Sequence, residues 1–339
     1  MRKSPLVFLF ACLLATACGM KSSDKPAQVS TTAENTTSQS IVSFDADSAY
    51  RFVERQVLFG PRVPNSPEHT ACGDYLAEKL ASFGAKVTEQ HANLIAYDNT
   101  VLKARNIIGS YLPDAPERVL LCAHWDTRPF SDNDPDPNNH RTPVMGANDG
   151  ASGVGVLLEV ARQLQERAPY VGVDIIFFDA EDNGTPYFYE EEQQDENTWC
   201  LGSQYWAKNP HVTGYKARFG ILLDMVGAPD ATFYKEGYSM QMAGRVVEKV
   251  WAKALEMGKG RLFINGKGGF IIDDHLPVMR ELGFPCIDII DFNPHTSGFG
   301  HYWHTINDTM ENIDRATLKS VGEVVLSVVY DQKPQAKEQ

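Results

Sequence analysis

Cysteine is scarce in this chain, six in 339 residues, and no two stand at CxxC spacing, which speaks against a thiolate zinc site. Basic charge is short too. Thirty-one Lys and Arg face 44 Asp and Glu, a formal net charge of −13. Without the basic face that phosphate binding needs, no nucleic-acid partner is expected. Beyond the first seventeen residues no run reaches the roughly 20 apolar residues of a membrane-spanning helix. No internal repeat is visible, and after about residue 43 there is no second low-complexity break, so one domain is expected. What the chain does have is 43% hydrophobic content, enough for a large core.

The N-terminus reads differently. MRKSPLVFLFACLLATA, residues 1–17, has a basic start, an apolar stretch and small residues before Cys18, the pattern of an export signal. The run Leu14-Ala15-Thr16-Ala17-Cys18 resembles the lipobox of bacterial lipoproteins, which implies that Cys18 becomes the lipidated first residue. Loss of Arg2 and Lys3 with the signal leaves 29 basic residues and makes the mature chain more acidic still. Residues 18–42 are rich in Ser, Thr and Ala and read as a tether between that lipid and a catalytic domain over 43–333. The expected location is exported, on the periplasmic or cell-surface side, held to a membrane by the lipid alone. Among Cys72, Cys122, Cys200 and Cys286 no bridge is assigned, since Cys122 and Cys286 sit in apolar strand-like runs as small buried hydrophobes do.

From residue 43 apolar runs alternate with amphipathic stretches. AKVTEQHANLIAY and ARNIIGSYLP read as strands, followed by RVLLCAHWD, VDIIFFDAED, FGILLDMVG and FPCIDIID. The last four are short continuous apolar runs, as in parallel strands buried on both faces. DADSAYRFVERQVLFG, HTACGDYLAEKLASFG, VGVLLEVARQLQER, SQYWAKN, GRVVEKVWAKALEMG and HLPVMRELG have helical spacing. This βαβ alternation predicts an α/β fold: a single-domain, open, mixed but mainly parallel sheet with helices on both faces.

Ligands of such sheets bind beyond the carboxyl ends of the strands. Those ends carry His124 and Asp126, Glu181 and Asp182, and Asp224. Two further pieces are Asp149 in the Gly-rich turn GANDGASGVG and His304 in HYWHTINDT. His nitrogen and carboxylate oxygen without cysteine is the ligand set of catalytic zinc, where three protein groups leave a position open. A cation among Asp149, Asp182 and His304 would offset the repulsion among Asp179, Glu181 and Asp182, three acids in four positions. Glu181 is then free to act as general base, with Asp126 orienting His124 from behind. Taken singly, Asp149 or Asp224 reads more readily as a turn former or cap than as a ligand. Asp179 reads as a structural acceptor, Glu190 to Glu192 as a solvated run, and His295 and His301 as solvated. Asp132, Asp134 and Asp136, interleaved with Pro135 and Pro137, read as a flexible surface loop.

The segments LLCAHWDTRP, GANDGASGVGVLLEVAR, IIFFDAEDNG, GILLDMVGAPDATF, GGFIIDDHLPVMRELGFP and HYWHTINDTMENID together resemble the zinc exopeptidase family that includes co-catalytic aminopeptidases and animal-type glutaminyl cyclases. The resemblance spans about residues 119 to 314. Its aminopeptidases hold two zinc ions through positions matching His124, Asp149, Asp182, Asp224 and His304, with Glu181 as base. Its cyclases keep much the same residues but bind one zinc through the equivalents of Asp149, Asp182 and His304. LLDMVGAPDATF is closer to the cyclase pattern, Asp273 matches a cyclase acid that works with the Asp224 equivalent, and Trp303 matches the indole lining the cyclase pocket. This chain departs from animal cyclases in having Asp182 where they have Glu. The tryptophan they carry soon after has no clear counterpart here, Tyr187 and Trp199 being the candidates, and PHTSGFGHYWHT is longer.

The resemblance therefore implies a zinc-dependent glutaminyl-peptide cyclotransferase acting on N-terminal glutaminyl peptides with one zinc. Glu181, Asp224 and Asp273 are its catalytic residues, Asp149, Asp182 and His304 its metal ligands, and Trp303 and Tyr187 its pocket. The alternatives are a two-zinc aminopeptidase, with His124 and Asp224 on the second ion, and an inactive binding module that kept the fold.

Overall fold

A computed structural model describes residues 44–190 and 194–334. The stretches expected to be signal and tether, Cys18, and Glu191 and Glu192 lie outside the described residues, which fall in one compact unit.

The chain enters through two helices whose starts are written in the sequence. Asp45 caps α1 (Ala46–Val57) by accepting from the amides of Asp47 and Ser48, and Ser66 caps α2 (Pro67–Ser82), with proline in its first turn. Strands β1 (Lys86–Ile95) and β2 (Val101–Tyr111) form an antiparallel hairpin. Then come β3 (Arg118–His124), α3 (Ala151–Glu166), β4 (Gly172–Phe178), α4 (Leu201–Lys208) and β5 (Gly220–Asp224). The chain closes with β6 (Phe233–Lys235), α5 (Gly237–Glu256), β7 (Phe263–Lys267), α6 (His275–Leu282), β8 (Cys286–Ile290) and α7 (Arg315–Tyr330).

The main sheet has the order β1-β2-β4-β3-β5-β8. Pairs β4/β3, β3/β5 and β5/β8 are parallel, while β1/β2 and β2/β4 are antiparallel, so the sheet is mixed around a parallel centre. All seven residues of β4 are buried, as are the five of β5 and of β8. Because successive side chains point to opposite faces, both faces must be covered. Helix α3 packs on β3 and β5 with α1 and α7 against it, and α4 packs on α6.

The order also locates a site. From β3 the chain steps to β4 on one side and then returns to β5 on the other, a reversal that opens a crevice at the carboxyl ends of these strands. Two features go beyond the sequence patterns: α7, and a separate two-stranded parallel sheet of β6 and β7. Cys72, Cys122, Cys200 and Cys286 are free and buried. Among the described residues no helix is long and apolar enough to cross a membrane.

Candidate active site

At that crevice a cavity of about 280 Å³ is lined by Asp149, Glu181, Asp182, Asp224, Asp273 and His304, with Tyr187, Trp199 and Trp303 as aromatic walls. The positions follow from the fold. His124 and Asp224 are the last residues of β3 and β5, Glu181 and Asp182 follow β4, and Asp149 ends the turn into α3. Asp273 lies just ahead of α6, and His304 in the loop before α7. Tyr187 and Trp199 both reach the wall.

Asp149 is the centre of the arrangement. Its Oδ1 is 3.0 Å from His124 Nε2, which is also 3.1 Å from Asp224 Oδ1. Its Oδ2 is 3.5 Å from His304 Nε2, which is 3.2 Å from Asp182 Oδ1. Two donor groups thus share one carboxylate: His124, Asp149 and Asp224, and Asp149, Asp182 and His304. Asp182 Oδ1 is buried without a hydrogen-bond partner. Two carboxylates and an imidazole with an oxygen left over suit zinc held by three protein groups. Glu181 stands beside these groups, with Oε2 4.0 Å from His124 Nδ1.

Burial and crowding shift the protonation of these groups. Burial pushes Glu181 and Asp273 well above ordinary carboxylates, with neighbouring acids adding to the effect, and raises Asp182 to about 6. Burial also opposes charge on His124 and His304, yet the surrounding carboxylates hold both above the usual histidine range. Asp149 moves the other way, because hydrogen bonds to both imidazoles outweigh its burial.

The backbone is bent to fit. Ala180, Cys200, Met225 and His304 all have positive φ between 48° and 56°, each at or next to a residue of the site. Left-handed backbone at a non-glycine residue costs on the order of 1–3 kcal/mol and persists where surrounding structure enforces it. Gly150 is required by close approach: a Cβ there would lie 2.4 Å from the His124 carbonyl oxygen and 2.7 Å from its ring. Gly184 is pinned likewise under the Trp199 indole.

Several supporting residues gave no clear local signal. Asp308 accepts from the amides of Asn148 (2.8 Å) and Asp149 (3.0 Å), fixing the turn that presents the shared carboxylate. Asp126 serves a further purpose beyond the one expected. It faces His124 Nδ1 at 3.6 Å and also accepts from the amides of Glu181 (3.0 Å) and Asp182 (3.2 Å) and from Asn183 Nδ2 (3.1 Å), so it orders the acidic turn as well. Asp179 is a structural acceptor, bonded to His69 Nε2 at 2.9 Å and to the Arg105 amide at 2.6 Å. His295, His301 and Glu190 are exposed.

The SDNDPDPNNH segment requires a correction, because Asp132 and Asp134 are buried rather than on a solvated loop. Asp132 takes a bidentate grip from Arg128, with Nε at 2.7 Å and Nη2 at 2.5 Å, and its Oδ1 faces His304 Nδ1 at 3.8 Å. Arg128 is itself fully buried, 3.6 Å from Asp182 Oδ1 and 4.5 Å from the centre of the Trp199 ring. Removing one partner of such a pair strands a buried charge, at about 3–5 kcal/mol. The pair therefore braces the Asp182 and His304 side of the cavity.

Comparison with known proteins gives the chain a family and relatives. The family model described as peptidase family M28 matches residues 106–329. The crystal structure of Tannerella forsythia glutaminyl cyclase is 61% identical, with a TM-score of 0.83 over 86% of this chain and 100% of that one. That of Bacteroides thetaiotaomicron glutaminyl cyclase bound to N-acetylhistamine is 60% identical, with a TM-score of 0.84 over 86% and 99%. Bovine glutaminyl-peptide cyclotransferase is 27% identical over 306 residues, covering 80% of this chain and 78% of that protein.

Proposed function

The chain belongs to peptidase family M28, and we infer that it is a glutaminyl-peptide cyclotransferase, converting N-terminal glutamine of peptides to pyroglutamate with release of ammonia. Its likeness to bacterial glutaminyl cyclases at about 60% identity over nearly their whole length carries the choice of reaction.

Asp149, Asp182 and His304 are the residues to hold one zinc ion, which when bound polarises the γ-carbonyl of the glutamine. The α-amine of the same residue forms the new C–N bond to that carbonyl carbon, and the bond to the amide nitrogen breaks. No water is consumed. Since nucleophile and electrophile share one residue, the protein's task is mainly positioning and charge stabilisation. Glu181 takes the proton from the attacking amine and delivers it to the departing nitrogen. Asp224 and Asp273, at the same cavity, hold the reacting amide group. Trp303 stacks on His304 with ring centres 4.0 Å apart, and Trp199 lies parallel to the same imidazole at 6.0 Å. These flat faces and Tyr187 give a narrow apolar slot for one side chain. The cavity falls at the small end of ligand pockets, roughly 300–1,000 Å³, which suits a terminal residue rather than an extended peptide.

One observation favours a second reading. The His124, Asp149 and Asp224 group is also a possible cation site, as a two-zinc aminopeptidase would need. Assay of glutaminyl and leucyl substrates on purified protein separates the two. Ammonia release from the glutaminyl substrate without leucine release is expected, and leucine release alone would reverse the assignment.

We further propose export and lipidation at Cys18, on the leader pattern of residues 1–18. Cys18→Ala is expected to move the protein from the membrane fraction to the soluble one, and unchanged fractionation would refute the anchor.

A further inference from the structure

Of the four described cysteines, Cys200 is the one at the site. Its amide donates to the Glu181 carbonyl at 2.9 Å, and its thiol donates to Glu181 Oε1 at 3.3 Å. Asp273 completes a triangle. One ligand atom from each of Glu181, Cys200 and Asp273 lies within 4.8 Å of the other two, and all three residues are buried. Asp273 Oδ1 accepts from the Asp274 amide at 2.6 Å, while its buried Oδ2 has no hydrogen-bond partner. Glu181 and Asp273 line the cavity, so a small ion arriving there meets them first. None of the three belongs to the Asp149, Asp182 and His304 group.

We propose that Glu181, Cys200 and Asp273 form a separate, inhibitory site for a thiophilic divalent cation, Cd²⁺ or Zn²⁺ in excess. A thiolate with two carboxylates is a three-donor set in which sulfur selects softer ions over Mg²⁺ or Ca²⁺. On binding, the S–H bond breaks, the sulfur pair passes to the cation and the proton leaves to solvent, with no change of oxidation state. The ion brings positive charge to acids that otherwise repel one another. It also occupies the Glu181 oxygens, so that the carboxylate can no longer accept a proton from substrate. Binding stands on the geometry alone, whereas inhibition rests on the cyclotransferase reading.

The test titrates zinc-loaded protein with CdCl₂ and follows the ultraviolet sulfur-to-cadmium charge-transfer band, retained zinc and glutaminyl turnover. The wild type is expected to develop one equivalent of the band while keeping its zinc, with turnover lost in parallel. Cys200→Ser is expected to lose the band and to need at least tenfold more Cd²⁺ or excess Zn²⁺ for half inhibition. Cys200→Ala, checked for cooperative unfolding, guards against a folding defect in the serine variant. A band that persists in both variants, or equal inhibition of wild type and variants, overturns the site. A band without any glutaminyl turnover in zinc-loaded protein leaves the site standing and refutes the cyclotransferase reading instead. Turnover without a band does the reverse.

Discussion

Glu181→Gln is expected to lower kcat for a glutaminyl peptide by about 10²–10⁴-fold, the range supplied by a positioned general acid–base group. Bound zinc and KM should change little. Glutamine keeps the side chain's length and polarity but cannot carry a proton between the attacking amine and the leaving nitrogen. Glu181 lies outside the Asp149, Asp182 and His304 group, so the metal donors survive the substitution. The pH dependence has a definite sign. Burial raises the Glu181 pKa, the charge on His124 opposes this, and Asp182 and Asp273 add to it, leaving the carboxyl easier to protonate than usual. As pH falls the protonated form accumulates and turnover declines, and the residual activity of the Gln variant should lack that acid limb. Parallel measurement of kcat, KM and zinc content across pH checks the prediction. Retained activity in a zinc-replete Gln variant would remove Glu181 from the reaction.

What could be read in the sequence divides along a physical line. The runs RVLLCAHWD, VDIIFFDAED, FGILLDMVG and FPCIDIID announce buried strands because parallel strands covered on both faces must be apolar throughout. Their carboxyl ends then carry His124, Glu181, Asp182 and Asp224 to one crevice, a consequence of strand direction rather than of contacts. The ordered set resembling the zinc exopeptidases added Asp273 and Trp303, which no local pattern singles out. Helix α7 was harder, since Val324, Val325, Val328 and Val329 are β-branched and favour a strand locally. Its helical state rests on packing against α1, α3 and α5. Strands β6 and β7 are short and partly polar, and they form by pairing with each other, with one further parallel bridge from Phe233 to Phe292.

The buried polar residues were the least legible. Asp132 and Asp134 sit among prolines and asparagines, a composition that reads as solvated loop. Their burial depends on distant partners: Arg128 beneath Trp199 for Asp132, and the Ile306 amide at 3.2 Å for Asp134. Asp308 likewise gains its meaning only from amides 159 and 160 residues away in the chain. A pattern read along the sequence carries residue types and their periods, but not which buried acid meets which amide.

Metal removal should have the other large effect. Chelation is expected to abolish turnover and one equivalent of Zn²⁺ to restore it. His304→Ala should weaken zinc binding by more than the roughly 10–100-fold typical of losing an outer-shell partner, whereas His124→Ala should stay within that range. The difference follows from the shared carboxylate. In the one-zinc reading, Asp149 would hold the ion with Asp182 and His304, while His124, with Nε2 3.0 Å from Asp149 Oδ1 and 3.1 Å from Asp224 Oδ1, would orient that carboxylate from outside the ligand set. Protons compete for the same atoms. His304 is held above the usual histidine range and Asp182 titrates at about 6, so zinc affinity should fall as pH drops from neutrality, by about tenfold per pH unit for each proton displaced. Competition against a chromophoric chelator at several pH values measures both effects. Two tightly held equivalents, with His124→Ala losing one, would show that both groups bind metal. Asp224 would then be a ligand rather than a partner of the reacting amide, and the cyclotransferase reading would give way to hydrolysis.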